Sequence, residues 1–348
     1  MDVLTTIYYK RLLDSSTNYA LFTMEILMLF FVLAFGLIYI ICYFAIPEYM
    51  KRTVPMKPLV LLGILDVISN SLSTIGSTYS SGYMMVLLGQ IGIPLTIIAC
   101  KVILSKTYHS FQYIGSAFIF GFVVFQELAH DDSANKNSIK YNLIYMAACI
   151  PDAVSSAIKT MLYGSGTMNM VKYQFYVISM QFIISIPMQL IIMAIRQGTD
   201  ALGTKIWELI SNGSLCIFSA INTITDQCGI DEKIRCDECE EAFKLLCYYL
   251  IFNIIIRIAY IFIMMQSSAT LVFLLGTMKI PLSSLAFSSK KISGSSSVNF
   301  NFMDIICFLG ICFGLYLYGY GSTLQSPEED DNSNQNQLST PLIENELR

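Results

Sequence analysis

The chain has 348 residues, of which 55% are hydrophobic and only 13% charged, with a net charge of −4. Soluble domains carry about 25% charged residues, so this composition excludes a water-facing globular surface and defines an integral membrane protein. The acidic excess is small and collects mostly near the C-terminus, and nothing in the charge pattern calls for nucleic acid.

A transmembrane helix needs about 20 mostly apolar residues. Residues 1–19, MDVLTTIYYKRLLDSSTNY, do not complete one, because the apolar run before Lys10 is too short. They also lack the basic start and long apolar stretch of a signal peptide. Spans are then expected near 26–46, 58–79, 82–104 and 110–128, within a first unit of 20–128. A second unit, 137–322, holds spans near 141–163, 172–195, 243–265, 268–289 and 303–322. The count is nine. Residues 323–348 carry Glu328, Glu329, Asp330 and Asp331 and then NSNQNQ, and read as a disordered aqueous tail. The fold class is an all-α polytopic membrane protein.

The two units repeat one another. SSGYMMVLLGQIGIPL (Ser80 to Leu95) and SSATLVFLLGTMKIPL (Ser267 to Leu282) share the pattern of Ser-Ser, Leu-Leu-Gly and Ile-Pro-Leu at a constant offset. YIGSAFIFGF, around Gly115, is similar to FLGICFGLYL, around Gly310. The first pair occupies the third and eighth spans. An odd step between copies inverts the second in the bilayer, an arrangement of secondary transporters that bind near the midplane. Pro94 and Pro281 end the paired motifs, and each frees a backbone carbonyl one turn earlier. In lipid such a carbonyl needs a neighbouring helix or a wet cavity, so both prolines are candidate helix breaks.

Charges inside spans are costly and mark function by default. Asp66, Asp152, Arg257 and Lys279 are the candidates for a shared substrate and proton cavity, with Gln90, one turn before Pro94, as an uncharged polar contact. Static ion pairing between helices is the competing reading of the same charges. Lys101 and Lys159 have stems long enough to snorkel to the surface, and Glu25 reads as an interfacial residue at a helix start.

The long connection, 196–243, contains Cys216, Cys228, Cys236 and Cys239. Four cysteines in an aqueous loop form either two disulfides or a zinc site. A four-cysteine zinc site usually has two close pairs, and here only Cys236 and Cys239 are close, which favours disulfides and no metal. Disulfides require an oxidising side. Alternation then puts Lys51, Arg52, Lys57 and the acidic tail on the opposite, cytosolic side. Trp207 sits in an amphipathic stretch of the kind found at membrane interfaces, and Asn212-Gly-Ser is a glycosylation sequon. With only His109 and His130, no paired nucleophile or metal motif and no phosphate loop, the sequence argues against an enzyme and calls for no cofactor.

ILDVISNSLSTIG (Ile64 to Gly76), QIGIPL with Gln90 and Pro94, IFN at Ile251 to Asn253, and IWELISNGSLC followed by NTITDQCGIDEKIRCDEC resemble the chloroquine-resistance-transporter-like family of the drug/metabolite transporter superfamily. The resemblance implies ten helices in two inverted halves and nested disulfides, Cys216–Cys239 and Cys228–Cys236. It also implies the membrane of an acidic vacuole or lysosome-like compartment, with the cysteine loop lumenal. The implied activity is export of small nutrients such as amino acids or peptides, coupled to protons in some members, with Asp66 facing the cavity. The implied partners are thus a small-molecule substrate, protons and the bilayer. Two departures stand out. Val3 to Leu13 looks like only the last turn and exit of the family's first helix, leaving nine to ten helices. Arg257 and Lys279 add positive charge, which favours anionic or zwitterionic substrates. Loss of a first helix underlies a second reading, a non-transporting membrane scaffold or regulator.

Overall fold

The computed structural model describes residues 2–51, 54, 56–129, 139–164, 169–197, 202–225, 228, 236–266, 282–283, 286–287, 289–294 and 302–324. These form α1 (Asp2–Ser15), α2 (Ala20–Ala45), α3 (Pro47–Met50), α4 (Met56–Tyr79), α5 (Gly82–Leu88), α6 (Gly92–Leu104), α7 (Ser110–Ala129), α8 (Ile139–Gly164), α9 (Met170–Gln197), α10 (Leu202–Ser219), α11 (Ala242–Gln266), α12 (Lys290–Ser293) and α13 (Phe302–Leu324). Lys279, Pro281 and most of the expected 268–289 span lie outside the described residues.

Among the described residues, six helices are long and apolar enough to cross a membrane: Thr17–Ala45, Met56–Tyr79, Gly82–Leu104, Met170–Ile195, Cys239–Ala259 and Ile305–Leu324. α7 has a shorter apolar stretch, Ser110–Phe125, and α8 carries Lys140, Asp152 and Lys159. The outer faces match a lipid environment. Leu33, Leu37, Ile41 and Phe44 on α2 are each more than half exposed and recur every three to four residues. A contiguous apolar stripe of this size is not tolerated in water.

α1 is a helix of 14 residues, about 21 Å long at 1.5 Å per residue. It packs along α11 and against α4. Tyr8 stacks on Phe252 and tilts against Tyr248, Tyr9 meets Tyr249, and Arg11 pairs with Glu241 at 2.8 Å. Lys10, almost fully buried, donates to the Ser77 carbonyl at 2.8 Å and pairs with Asp14 at 2.7 Å. A buried ammonium is tolerable because both partners face it.

α2 packs along α9, α4 along α8 and α9, and α7 along α13. Between membrane helices there is little hydrophobic driving force, so close packing at small residues supplies much of the attraction. α7 and α13 show this directly. A Cβ added at Gly115 would lie 2.5 Å from the Gly314 carbonyl oxygen and 2.6 Å from the Tyr318 nitrogen. A Cβ at Gly310 would strike the Phe122 ring. The two glycine motifs noted in the sequence are therefore on helices that touch at their backbones. Gly115→Ala is expected to lower the unfolding free energy of the purified protein by about 1–3 kcal/mol, because backbone cannot move aside cheaply. Gly121→Ala, on the same helix with nothing within 4 Å, is the control and should be neutral or gain up to about 1 kcal/mol of helix propensity.

Candidate functional site

α4 turns two polar faces inward. Thr74 and Ser77 meet α1, where Tyr9 shares a hydrogen bond with Thr74 at 3.0 Å. Asp66 and Ser69 meet α8. Ser69 donates to the Ala148 carbonyl at 2.9 Å, in the turn that Pro151 opens by its missing N–H.

Asp66 is the centre of this arrangement. Its side chain is 7% exposed. Lys159 of α8 reaches both carboxylate oxygens at 3.0 Å, Ser155 donates to Oδ1, and Gln181 of α9 donates to Oδ2 at 2.5 Å. Three helices are thus tied at one carboxylate by two neutral donors and one cation. Such charge-assisted bonds are about twice as strong as neutral ones, and a buried charge needs full pairing to be tolerated at all. Lys159, set down in the sequence as a snorkelling residue, instead turns inward, because an unpaired Asp66 lies within its reach. Asp152 lies on the same face of α8 as Ser155 and Lys159, two turns before the lysine, and its side chain is exposed.

The other sequence candidates go elsewhere. Gln90, half-buried, donates to the Val86 carbonyl of its own helix at 3.0 Å. Pro94 is the third residue of α6, directly after a 3-10 turn, Gly89–Ile91, that interrupts the regular helix. Arg257 bonds Asn253 at 2.7 Å and lies over the Phe31 ring at 5.1 Å. Its contacts are therefore with α11 and α2, whereas those of Asp66 are with α8 and α9.

A second polar seam was not singled out by sequence. Gln181, Ser185 and Gln189 follow one another at intervals of four on α9, and all three are buried. Gln181 serves Asp66. Ser185 meets Glu25 of α2 at 2.9 Å, and Gln189 donates to the Leu21 carbonyl at 3.0 Å. Glu25 is not at a helix start. The 3-10 turn Thr17–Tyr19 and α2 begin well before the hydropathy signal does, so the carboxylate lies more than a turn inside the helix. The pattern QxxxSxxxQ in a charge-free span, beside Pro187, was the legible signal.

Above this seam lies a cavity of about 380 Å³. Asn18, Tyr19, Leu21, Thr78 and Met193 line it, with Lys205, Glu208 and Asn212 of α10 on one side. Asn212 therefore faces the cavity in mid-helix, while the next residue, Gly213, presses against Phe22. Trp207 points away, 71% exposed. The cysteine loop closes the same end. Disulfides join Cys216 to Cys239 and Cys228 to Cys236. Asp237, between them and 6% exposed, accepts from Asn18, from Tyr19, from the Thr223 hydroxyl and from the backbone N–H groups of Thr223 and Ile224. Among the described residues no group of three or more His, Cys, Asp or Glu stands where a metal ion would sit.

Apolar spanning helices tied together by an Asp–Lys pair whose carboxylate is buried, with polar residues continuing towards a partly open cavity, define a polytopic membrane protein of transporter type. The chain belongs to the CRT-like (chloroquine-resistance transporter-like) family, whose model matches residues 1–318. It is 41% identical to a putative chloroquine resistance transporter of Theileria annulata, over 100% of this chain and 83% of that protein. It is 28% identical to the chloroquine resistance transporter of Toxoplasma gondii, over 92% of this chain but 37% of that much longer protein. It is also 28% identical to Crt homolog 3 of Dictyostelium discoideum, over 96% of this chain and 73% of that protein.

Proposed function

We propose that this protein is a secondary carrier that exports small nutrients, amino acids or short peptides, from an acidic vacuole or lysosome-like compartment to the cytosol in a proton-linked cycle. Its role would be in the solute and osmotic balance of that compartment. In this reading the bundle has nine to ten helices in two inverted halves. The cysteine loop faces the oxidising lumen and the C-terminal tail the cytosol. Asp66, with Asp152, Gln90, Arg257 and Lys279, belongs to the substrate and proton path.

The observation that carries the reading is the Asp66–Lys159 pair. A zwitterionic substrate can split it, its ammonium group taking Asp66 and its carboxylate taking Lys159. The charges freed from one another are then matched by the substrate, so little electrostatic energy is lost. Lys205 and Glu208 in the cavity repeat the same two signs at the cysteine-loop end. Family membership supports the transporter class.

The experiment is efflux of a labelled amino-acid mixture and a labelled dipeptide from vesicles with an acidic interior, with and without the pH gradient. Gradient-dependent flux is expected in the wild-type protein, and its loss in a folded Asp66→Asn protein. Unchanged flux in Asp66→Asn removes Asp66 from the path. No flux from folded wild-type protein favours a scaffold or regulator.

A further inference from the structure

Glu25 presents a proton-counting problem. Its Oε2 lies 2.9 Å from the Ser185 hydroxyl, and that hydroxyl also lies 2.8 Å from the Phe182 carbonyl oxygen. A serine has a single hydroxyl proton to give. If Glu25 were ionised, Ser185 could satisfy the carboxylate or the carbonyl, but not both. With a proton on Oε2, Glu25 donates to the Ser185 oxygen and Ser185 donates to the Phe182 carbonyl, so both contacts are met. The other oxygen, Oε1, is buried and has no hydrogen-bond partner among the described residues. With no accessible surface there, a substrate ammonium group has no room, whereas a proton needs none.

Among the described residues no cation is paired with Glu25. The charged groups on helices packed around α2 are Glu48 on α3, Asp66 and Lys57 on α4, Lys172 and Arg196 on α9, Arg257 and Lys244 on α11, and Lys205 and Glu208 on α10. Lys57, Lys172 and Lys244 stand near helix ends. Asp66 is held by α8 and α9, Arg257 lies over Phe31, and Lys205 and Glu208 line the cavity. Among the described residues none forms an ion pair with Glu25. An ionised carboxylate with only a shared hydroxyl and the neutral Gln189 amide beside it is very costly in such a place. This is the opposite of Asp66, which has a cation and two further donors.

We infer that Glu25 is the proton-exchanging carboxyl group of this protein, neutral in the conformation described here. The inference rests on the carrier reading above and assigns the proton within it. Leu21, one turn before Glu25, and Met193, two turns after Ser185, line the cavity. Between cavity and carboxyl stands the bond from Gln189 to the Leu21 carbonyl. When that bond opens, water reaches Glu25. The Glu25 O–H bond breaks, water takes the proton, and the carboxylate keeps the electron pair. The reverse step reloads it, and no other reactant is needed.

The test uses the full chain in vesicles and the variant Glu25→Gln, whose amide can still donate to Ser185. Two readouts separate the claims. The first is the infrared C=O band of a protonated carboxyl at neutral pH, expected in the wild-type protein and lost in Glu25→Gln. The second compares labelled amino-acid exchange across equal pH, which should survive in Glu25→Gln, with accumulation driven by a pH gradient, which should be lost. Accumulation that persists in Glu25→Gln, or a wild-type spectrum without that band, overturns the inference. If the wild-type protein moves no solute, the carrier reading fails, and the infrared band alone decides whether Glu25 holds a proton. Ser185→Ala should remove the hydrogen bond and shift the band without abolishing it, which assigns the band to Glu25, while the loss of gradient-driven accumulation in Glu25→Gln separates proton exchange from a structural role.

Discussion

Lys159→Met is expected to destabilise the protein by about 3–5 kcal/mol, the cost of stranding a buried charge without its partner. Asp66 stays 7% exposed, and Ser155 and Gln181 together supply no countercharge. Asp66→Asn should cost much less. The amide oxygen and nitrogen keep contacts with Gln181 and Ser155, and Lys159, 27% exposed, has the longer stem and can carry its charge towards a more polar region. The double variant, Lys159→Met with Asp66→Asn, should recover most of the stability lost in Lys159→Met alone, giving a coupling energy above the roughly 0.5 kcal/mol of non-interacting sites. Denaturant or thermal unfolding of the four proteins in one detergent measures the cycle. Equal losses in the two single variants would mean that Asp66 is not held in the dry, fully paired setting described here.

That asymmetry also shows what the sequence could and could not reveal. Hydropathy bears on six described stretches, α2, α4, α5 continued into α6, α9, α11 and α13, because they are almost free of charge and about 20 residues or longer over their apolar parts. It marked Asp66 as unusual for the same reason. It did not find Asp66's partners. Lys159 lies 93 residues away on another helix, and a lysine near a helix end looks the same whether it turns outward or inward. Nor did it find the start of α2. The residues before Ile26 are mixed in polarity, and their helical turn is fixed by Asp237, more than two hundred residues later. That late start places Glu25 inside the bundle. Buried serines and glutamines were missed because neutral polar residues barely alter a hydropathy average, and their regular spacing on α9 is meaningful only when the facing helix is known. The cysteines announced a cross-linked loop, and the pairing came from family resemblance, since four cysteines allow three connectivities.

Asp237→Ala should be the most damaging substitution outside the membrane core, at about 3–5 kcal/mol, since stranding each buried donor costs about 1–3 kcal/mol and the losses do not fully add. The backbone N–H groups of Thr223 and Ile224 lose their acceptor at once. So do Asn18 at 2.8 Å and Tyr19 at 3.2 Å. For comparison, Cys228 and Cys236 are 8 residues apart, and chain entropy gives a bridge closing so short a ring about 2.5 kcal/mol. Replacing both of those cysteines by serine should therefore cost less than Asp237→Ala, although it removes a covalent bond. Asp237→Asn keeps one carbonyl oxygen and should fall between the wild-type protein and Asp237→Ala. Thermal unfolding ranks the variants, and limited proteolysis locates the change in the cysteine loop. The loss should extend to the cavity, because Asn18 and Tyr19 line it and are positioned by the same carboxylate. Loosening them would let water reach the Leu21 carbonyl and the bond from Gln189 that screens Glu25. Unchanged unfolding in Asp237→Ala, with both bridges intact, would mean that the disulfides alone hold the loop and that the start of α2 is set by its own packing against α9.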